Sequence, residues 1–223
     1  MTTRNALAPR TFVRRVEADG LTIFYRDAGP ANAPVVLLLH GFPTSSFQYR
    51  ELIPRLADQY RVLAPDLPGF GFTEVPEQRR YKYSFEALAD TVLAFADALA
   101  LKRYALYVFD YGAPTGFRVA MARPGNTDIQ LDLFLDYANN VKLYPAFREY
   151  FRKWKPPLLA VWGKHDPYFT PAGAEAFRRD NPNASVQFLE TGHFALETHV
   201  EEIALAMRKF LAEAVGPKRP NSQ

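Results

Sequence analysis

Residues 104–116 read YALYVFDYGAPTG, and the fold turns on how they divide. Tyr104–Phe109 is an apolar and aromatic run that fits a strand, and Ala113–Arg123 reads as a helix directly after it. Asp110 stands between them at the carboxyl end of the strand, with Gly112 two positions later. A strand, a central residue, a glycine two positions after it and then a helix make the sharp turn that thrusts a nucleophile into a site, because glycine lets the backbone pass close. The following helix points its unbonded N–H groups at the same place. The central residue is Asp where the commoner motif has Ser. None of the five serines lies in a G-x-S-x-G setting, so a serine esterase is excluded.

Working outward, residues 12–17 and 21–26 flank Asp19–Gly20, a two-residue hairpin signal. Val35–Leu39 is a continuous apolar run suited to a strand buried on both faces. Ser45–Ala57 has Phe47, Leu52, Ile53 and Leu56 at helical spacing, with Ser45 or Ser46 able to cap it. Arg61–Pro65 is a short strand, and Ser84 caps a helix with Leu88, Val92, Phe95 and Leu99 on one stripe. Beyond the central motif, Leu158–Trp162 and Val186–Leu189 read as strands, and Pro171–Arg179 and His199–Ala214 as helices, the last with Ile203, Met207 and Phe210 on one face. Gly125–Lys155 mixes both periods and is read mostly as helix. This alternation predicts an α/β fold, a mostly parallel sheet with helices on both faces, after an N-terminal antiparallel hairpin. Residues 11–215 read as a single domain, with flexible ends at 1–10 and 216–223.

Ligands of such sheets sit beyond the carboxyl ends of the strands. Three polar residues stand there: Asp110, Asp166 in GKHDPYF and His193 in TGHFALE. An ionised carboxylate needs no base to attack a saturated carbon, and the product is an ester on Asp110. His193 would then activate water, and Asp166 would hold the imidazole in the needed tautomer. Backbone N–H groups of Tyr111 and of Phe42, in His40-Gly41-Phe42-Pro43, are placed to form an oxyanion hole.

The set HGFP, DLPGFG, VFDYGAP, GKHDP and TGHFALE resembles the epoxide hydrolase and haloalkane dehalogenase branch of the α/β-hydrolase superfamily, over nearly the whole chain. The resemblance implies Asp110 as nucleophile, Asp166 as acid, His193 as base, and Phe42 and Tyr111 as oxyanion-hole amides. Relatives carry a helical lid and a further strand before the segment that here begins near Thr127. This chain passes from Met121-Ala122-Arg123-Pro124 straight to Gly125-Asn126-Thr127, so the lid is expected to be reduced or absent, with 125–155 its remnant or connector. A lost strand would be offset either by Leu158–Trp162 moving up or by Ile129–Leu135 filling in. Where haloalkane dehalogenases typically hold halide with Asn and Trp, this chain has Phe42 and Tyr111, which leans toward an epoxide-like substrate. Tyr137, Tyr144 and Tyr168 are candidate leaving-group donors, with an ordinary packing role the plainer expectation. Two alternatives stay open: a haloalkane or haloacid dehalogenase using the same residues, and a non-catalytic truncated homologue.

The chain's 223 residues, 48% hydrophobic and 23% charged, suit an ordinary globular protein. There is no cysteine, which excludes disulfides and thiolate chemistry. No histidine or carboxylate pair has metal-ligand spacing, and no phosphate-cradling glycine motif occurs, so neither metal nor cofactor is expected. A formal charge of +3 spread along the chain argues against nucleic acid. No apolar run approaches the roughly 20 residues of a membrane span, so a cytoplasmic protein with a small-molecule substrate is expected, its oligomeric state open. His40 is expected to buttress its turn, and His165 and His199 to be bystanders.

Overall fold

A computed structural model describes residues 9–122 and 137–215. They fall into two compact units, one reaching Leu143 and the other starting at Tyr144.

The first unit contains β1 (Thr11–Ala18), β2 (Leu21–Ala28), β3 (Val35–Leu39), α1 (Leu52–Leu56), β4 (Arg61–Pro65), α2 (Phe85–Ala98), β5 (Tyr104–Val108) and α3 (Gly112–Met121). Its sheet runs β1-β2-β4-β3-β5. The β1–β2 and β2–β4 pairs are antiparallel, while β3 lies parallel to both β4 and β5. In the hairpin turn Asp19 and Gly20 both take positive φ, 54° and 71°. That is the backbone an Asp-Gly turn allows, and it matches the twist of the strands. Arg79 donates to the Asp19 carbonyl at 2.9 Å, and Thr91 Oγ1 donates to its carboxylate at 2.8 Å, tying the turn to α2.

Val36 to Leu39 of β3 are at most 1% exposed, as a strand covered on both faces should be. Each such side chain contributes roughly 1.5–3 kcal/mol by leaving water. Leu88, Val92 and Phe95 of α2 are buried on one stripe, with Leu99 packed beside them. Neighbours on a strand point to opposite faces. Tyr25 meets Phe95 of α2 with ring centroids 5.1 Å apart, whereas Arg26 bonds Ser46 Oγ at 3.1 Å. Both faces of this sheet are therefore covered. The expected helix over 45–57 is broken into a 3₁₀ turn, Ser46–Tyr49, and α1. Ser45 does cap the first piece, accepting from Phe47 N–H at 3.2 Å. Pro54 explains the break, since a residue without N–H is tolerated only within the first turn of a helix.

The boundary falls inside α4 (Tyr137–Trp154), and from Tyr144 the second unit continues into β6 (Leu158–Gly163), α5 (Pro171–Asp180), β7 (Ala184–Leu189), α6 (Ala195–Thr198) and α7 (Val200–Val215). β6 and β7 pair parallel from Leu158↔Ala184 to Gly163↔Leu189. α5 is the crossover between them, and Ala174 is buried with Ala160 and Val186, flanked by Trp162, Phe177 and Phe188. On α7 the buried stripe is Ile203, Ala204, Met207 and Leu211, so Leu211 takes the place expected of Phe210. The helix over Tyr137–Trp154 agrees with the helical reading of that stretch. Ile129–Leu135, the candidate substitute strand, lies outside the described residues, as do 1–8 and 216–223. Among the described residues β5 has β3 as its strand partner and β6 has β7. No described helix is long and apolar enough to cross a membrane.

Candidate active site

Leu39 of β3 pairs with Val108 of β5, so the turns after the two strands start level with each other. Asp110 occupies the turn after β5 with φ 49°. Left-handed backbone is strained for an L-residue, and aspartate and asparagine bear it best after glycine. Gly112 is compelled: a Cβ there would lie 2.2 Å from the Leu39 carbonyl oxygen. A Cβ at Gly41 would lie 2.3 Å from Cβ of Asp110, so the two turns can touch only with glycine on that side. Phe42 N–H donates to Asp110 Oδ1 at 2.8 Å and Tyr111 N–H donates to the same oxygen at 2.6 Å. Two donors thus converge on one carboxylate oxygen. Above them Phe42 and Tyr111 set their rings 5.7 Å apart, and Phe85 meets Tyr111 edge-on at 5.1 Å.

His40 is fully buried beneath this turn. Its Nε2 accepts from Leu67 N–H at 2.9 Å, which leaves the proton on Nδ1, facing the Gly41 carbonyl at 3.1 Å. Burial pulls its pKa below the usual histidine value, against the opposing pull of that carbonyl. A neutral imidazole bonded to backbone at both nitrogens is a buttress, as expected. Asp66, of DLPGFG, is likewise buried and accepts from Ser46 N–H at 2.7 Å and Phe72 N–H at 2.8 Å.

In the second unit, Asp166 Oδ2 and His193 Nδ1 are 2.9 Å apart, with side chains only 7% and 10% exposed. Asp166 Oδ1 accepts from Tyr168 N–H at 2.8 Å and Phe169 N–H at 3.0 Å. The carboxylate is thereby aimed at the imidazole. Three rings surround His193: Phe169 at 5.4 Å, Tyr168 at 5.3 Å and Phe194 at 4.9 Å. The loops bearing the pair run together, for His165 N–H donates to the Thr191 carbonyl and Lys164 N–H to that of Leu189, each at 2.9 Å. A Cβ at Gly163 would lie 2.2 Å from the Gly192 carbonyl oxygen, so that seam also demands glycine. The aromatic surround and the seam escape sequence reading. The one available signal is a glycine ending the first of two successive strands, Gly163, and another three residues past the second, Gly192.

His165 bonds Glu190 at 2.9 Å on the surface, and His199 lies against Thr198 Oγ1 at 2.9 Å. Hydrogen bonds from Lys164 and His165 hold Glu190 below the usual carboxylate range. Of the tyrosines read as donors, Tyr168 is 75% exposed and Tyr144 is 40% exposed, so neither fills a core role. The side chain of Tyr137 lies outside the described residues. Among the described residues no group of His, Asp and Glu has the arrangement of a metal site.

A family model described as alpha/beta hydrolase fold matches residues 34–129 and 122–200. The two stretches overlap at residues 122–129. An uncharacterized hydrolase of Saccharomyces cerevisiae, YNR064C, is 38% identical over 277 residues, covering 87% of this chain and 95% of that protein. That alignment is longer than the chain itself, so it runs across residues of the yeast protein that have no counterpart here. A haloalkane dehalogenase of Mycolicibacterium paratuberculosis is 37% identical over 145 residues, 63% of this chain and 48% of its own. The chain thus spans about half the length of that relative. Among solved structures, a putative lipase from Acinetobacter baumannii AYE has a TM-score of 0.79 at 18% identity, covering 95% of this chain and 94% of its own. That last likeness is one of fold.

Proposed function

Because this chain belongs to the α/β hydrolase fold family, we propose that it hydrolyses a small electrophilic, epoxide-like molecule through an ester on Asp110. The observation that carries the reading is the Asp110 carboxylate, held on a strained turn with one oxygen under two backbone N–H groups. The other oxygen attacks the electrophilic carbon and its C–O bond breaks. The departing alkoxide takes a proton from a tyrosine hydroxyl or water. The held oxygen Oδ1 becomes the ester carbonyl oxygen. His193 removes a proton from water, which attacks that carbonyl, and charge gathers on the oxygen facing Phe42 and Tyr111 N–H. Asp166 steadies the imidazolium as it forms. Collapse of the tetrahedral intermediate breaks the ester C–O bond. The departing oxygen takes the proton of the hydroxyl that added, which returns the carboxylate and releases a diol. The imidazolium gives its proton back to the tyrosinate or hydroxide left by the first step.

A dehalogenase acting by the same first step is the second reading, favoured by the likeness to a haloalkane dehalogenase. Against it, Phe42 has no side-chain donor for halide, and the ring of Tyr111 is engaged by Phe42 and Phe85.

Intact-mass analysis of a His193→Gln variant exposed to epoxides and haloalkanes tests the proposal. Without the base the ester is stranded, and peptide mapping places the adduct on Asp110. With the native chain, diol identifies an epoxide substrate and free halide a dehalogenase. A folded variant that forms no adduct with either class overturns both readings in favour of a non-catalytic homologue.

A further inference from the structure

Phe169 is a junction in the loop that follows β6. Its N–H donates to Asp166 Oδ1 at 3.0 Å. Its ring lies 5.4 Å from that of His193, tilted by 31°. Its carbonyl accepts the indole N–H of Trp162 at 2.7 Å. Trp162 itself belongs to β6 and packs against the small core of Ala160, Ala174 and Val186. It is the rigid end of a short chain of contacts running from strand to indole to Phe169, and from there to acid and base together.

The loop needs such an anchor. Between Gly163 and Thr170 there is no regular structure, and the Asp166 N–H reaches the Gly163 carbonyl at a long 3.3 Å. The two N–H groups that aim Asp166 belong to Tyr168 and Phe169, so any drift of the peptide at 169 turns the carboxylate as well. The same drift withdraws a ring from His193.

We propose that Trp162 is a positioning residue for the Asp166–His193 pair, acting through the Phe169 carbonyl. The inference rests on the reading of His193 as base. It assigns the indole N–H a task that packing bulk alone does not perform. Indole nitrogen is a donor only, so a phenylalanine at 162 keeps most of the volume and loses the anchor. Misplacing a catalytic group by about 1 Å slows its step by about a hundredfold.

The test is Trp162→Phe in the full chain, read in two ways. The first is the low-field imidazole N–H proton resonance of His193, assigned by its loss in His193→Gln. It is expected to vanish in Trp162→Phe while far-UV circular dichroism stays native. The second uses styrene oxide in single turnover. Ester formation on Asp110 should keep its rate, and ester hydrolysis should slow by about tenfold to a hundredfold. A native resonance with unchanged hydrolysis overturns the proposal, and so does a parallel fall in both steps, which is what a merely structural role produces. If phenylalanine prevents folding, benzothienylalanine at 162 in a Trp154→Phe background replaces N–H by sulfur at constant shape and gives the same two readouts. Failure of the native chain to form any ester would sink the hydrolase reading, while the resonance still decides the role of Trp162.

Discussion

Around Asp110 the restraints are main chain: a φ of 49°, the N–H groups of Phe42 and Tyr111, and the Leu39 carbonyl that forbids a side chain at 112. Around His193 they are side chain, a carboxylate and three aromatic rings, one of them from Phe169, whose carbonyl accepts an indole N–H. On the proposed mechanism, the difference follows from what each group is asked to do. A nucleophile changes its covalent state and must present one oxygen at a constant angle. A base gains and loses a proton, and its partners must accept small rotations of the ring. Damage in the first unit should therefore be all or none, and damage in the second should be graded.

The largest expected effect is at Asp110. Asp110→Ala and Asp110→Gly should both abolish adduct formation and lower turnover by about four orders of magnitude or more. The glycine variant should be the more stable of the two by about 1 kcal/mol in urea denaturation, since it alone is at ease in left-handed backbone. Equal midpoints would mean that the turn is not strained.

Next come the two close-approach glycines. Gly112→Ala and Gly163→Ala each drive a Cβ to 2.2 Å from a carbonyl oxygen, and each should cost about 3 kcal/mol because backbone has little room to yield. Their chemistry should part company. The first variant should lose adduct formation, whereas the second should form the ester and stall at its hydrolysis. Identical kinetic defects would erase the contrast between the units.

A smaller effect is expected from His40. Its pKa is lowered by burial, so below the ordinary histidine value of about 6.5 the unfolded chain binds a proton that the folded chain resists. Its contribution to stability is whole above that pH and shrinks as the pH falls through it. Urea midpoints followed from pH 8 to pH 5 should fall, and a His40 variant that still folds should lose that part of the slope. Smallest is Ser84→Ala. It removes the bond from Ala87 N–H to Ser84 Oγ, at 3.1 Å, and should cost about 1 kcal/mol with adduct formation untouched. A kinetic change there would show that stability and chemistry are not separable in the first unit.

Most of the strands, the hairpin and the cap at Ser84 were legible in the sequence, because period, turn residues and capping residues act over a few positions. The turn at Asp110 was legible for the same reason, as strand, glycine and helix all lie within a dozen residues. The helix over 45–57 misled because apolar spacing says nothing about the N–H that Pro54 lacks. On α7, Phe210 yielded to Leu211 because two neighbouring apolar residues satisfy nearly the same periodicity, and only packing chooses between them. The link from Trp162 to Phe169 left no trace in the sequence. It is a side chain reaching a carbonyl across an irregular loop, and no spacing rule describes such a contact.

The seam between Gly163 and Gly192 bears on how this chain can be varied. Lys164 to Asp166 and Glu190 to His193 are joined rung by rung, so an insertion on either side would move one loop past the other and separate acid from imidazole. Neither loop can change length alone. Additions beyond Thr170, where α5 begins, leave the rungs untouched. Whether by evolution or by engineering, new specificity has to be grafted outside that ladder.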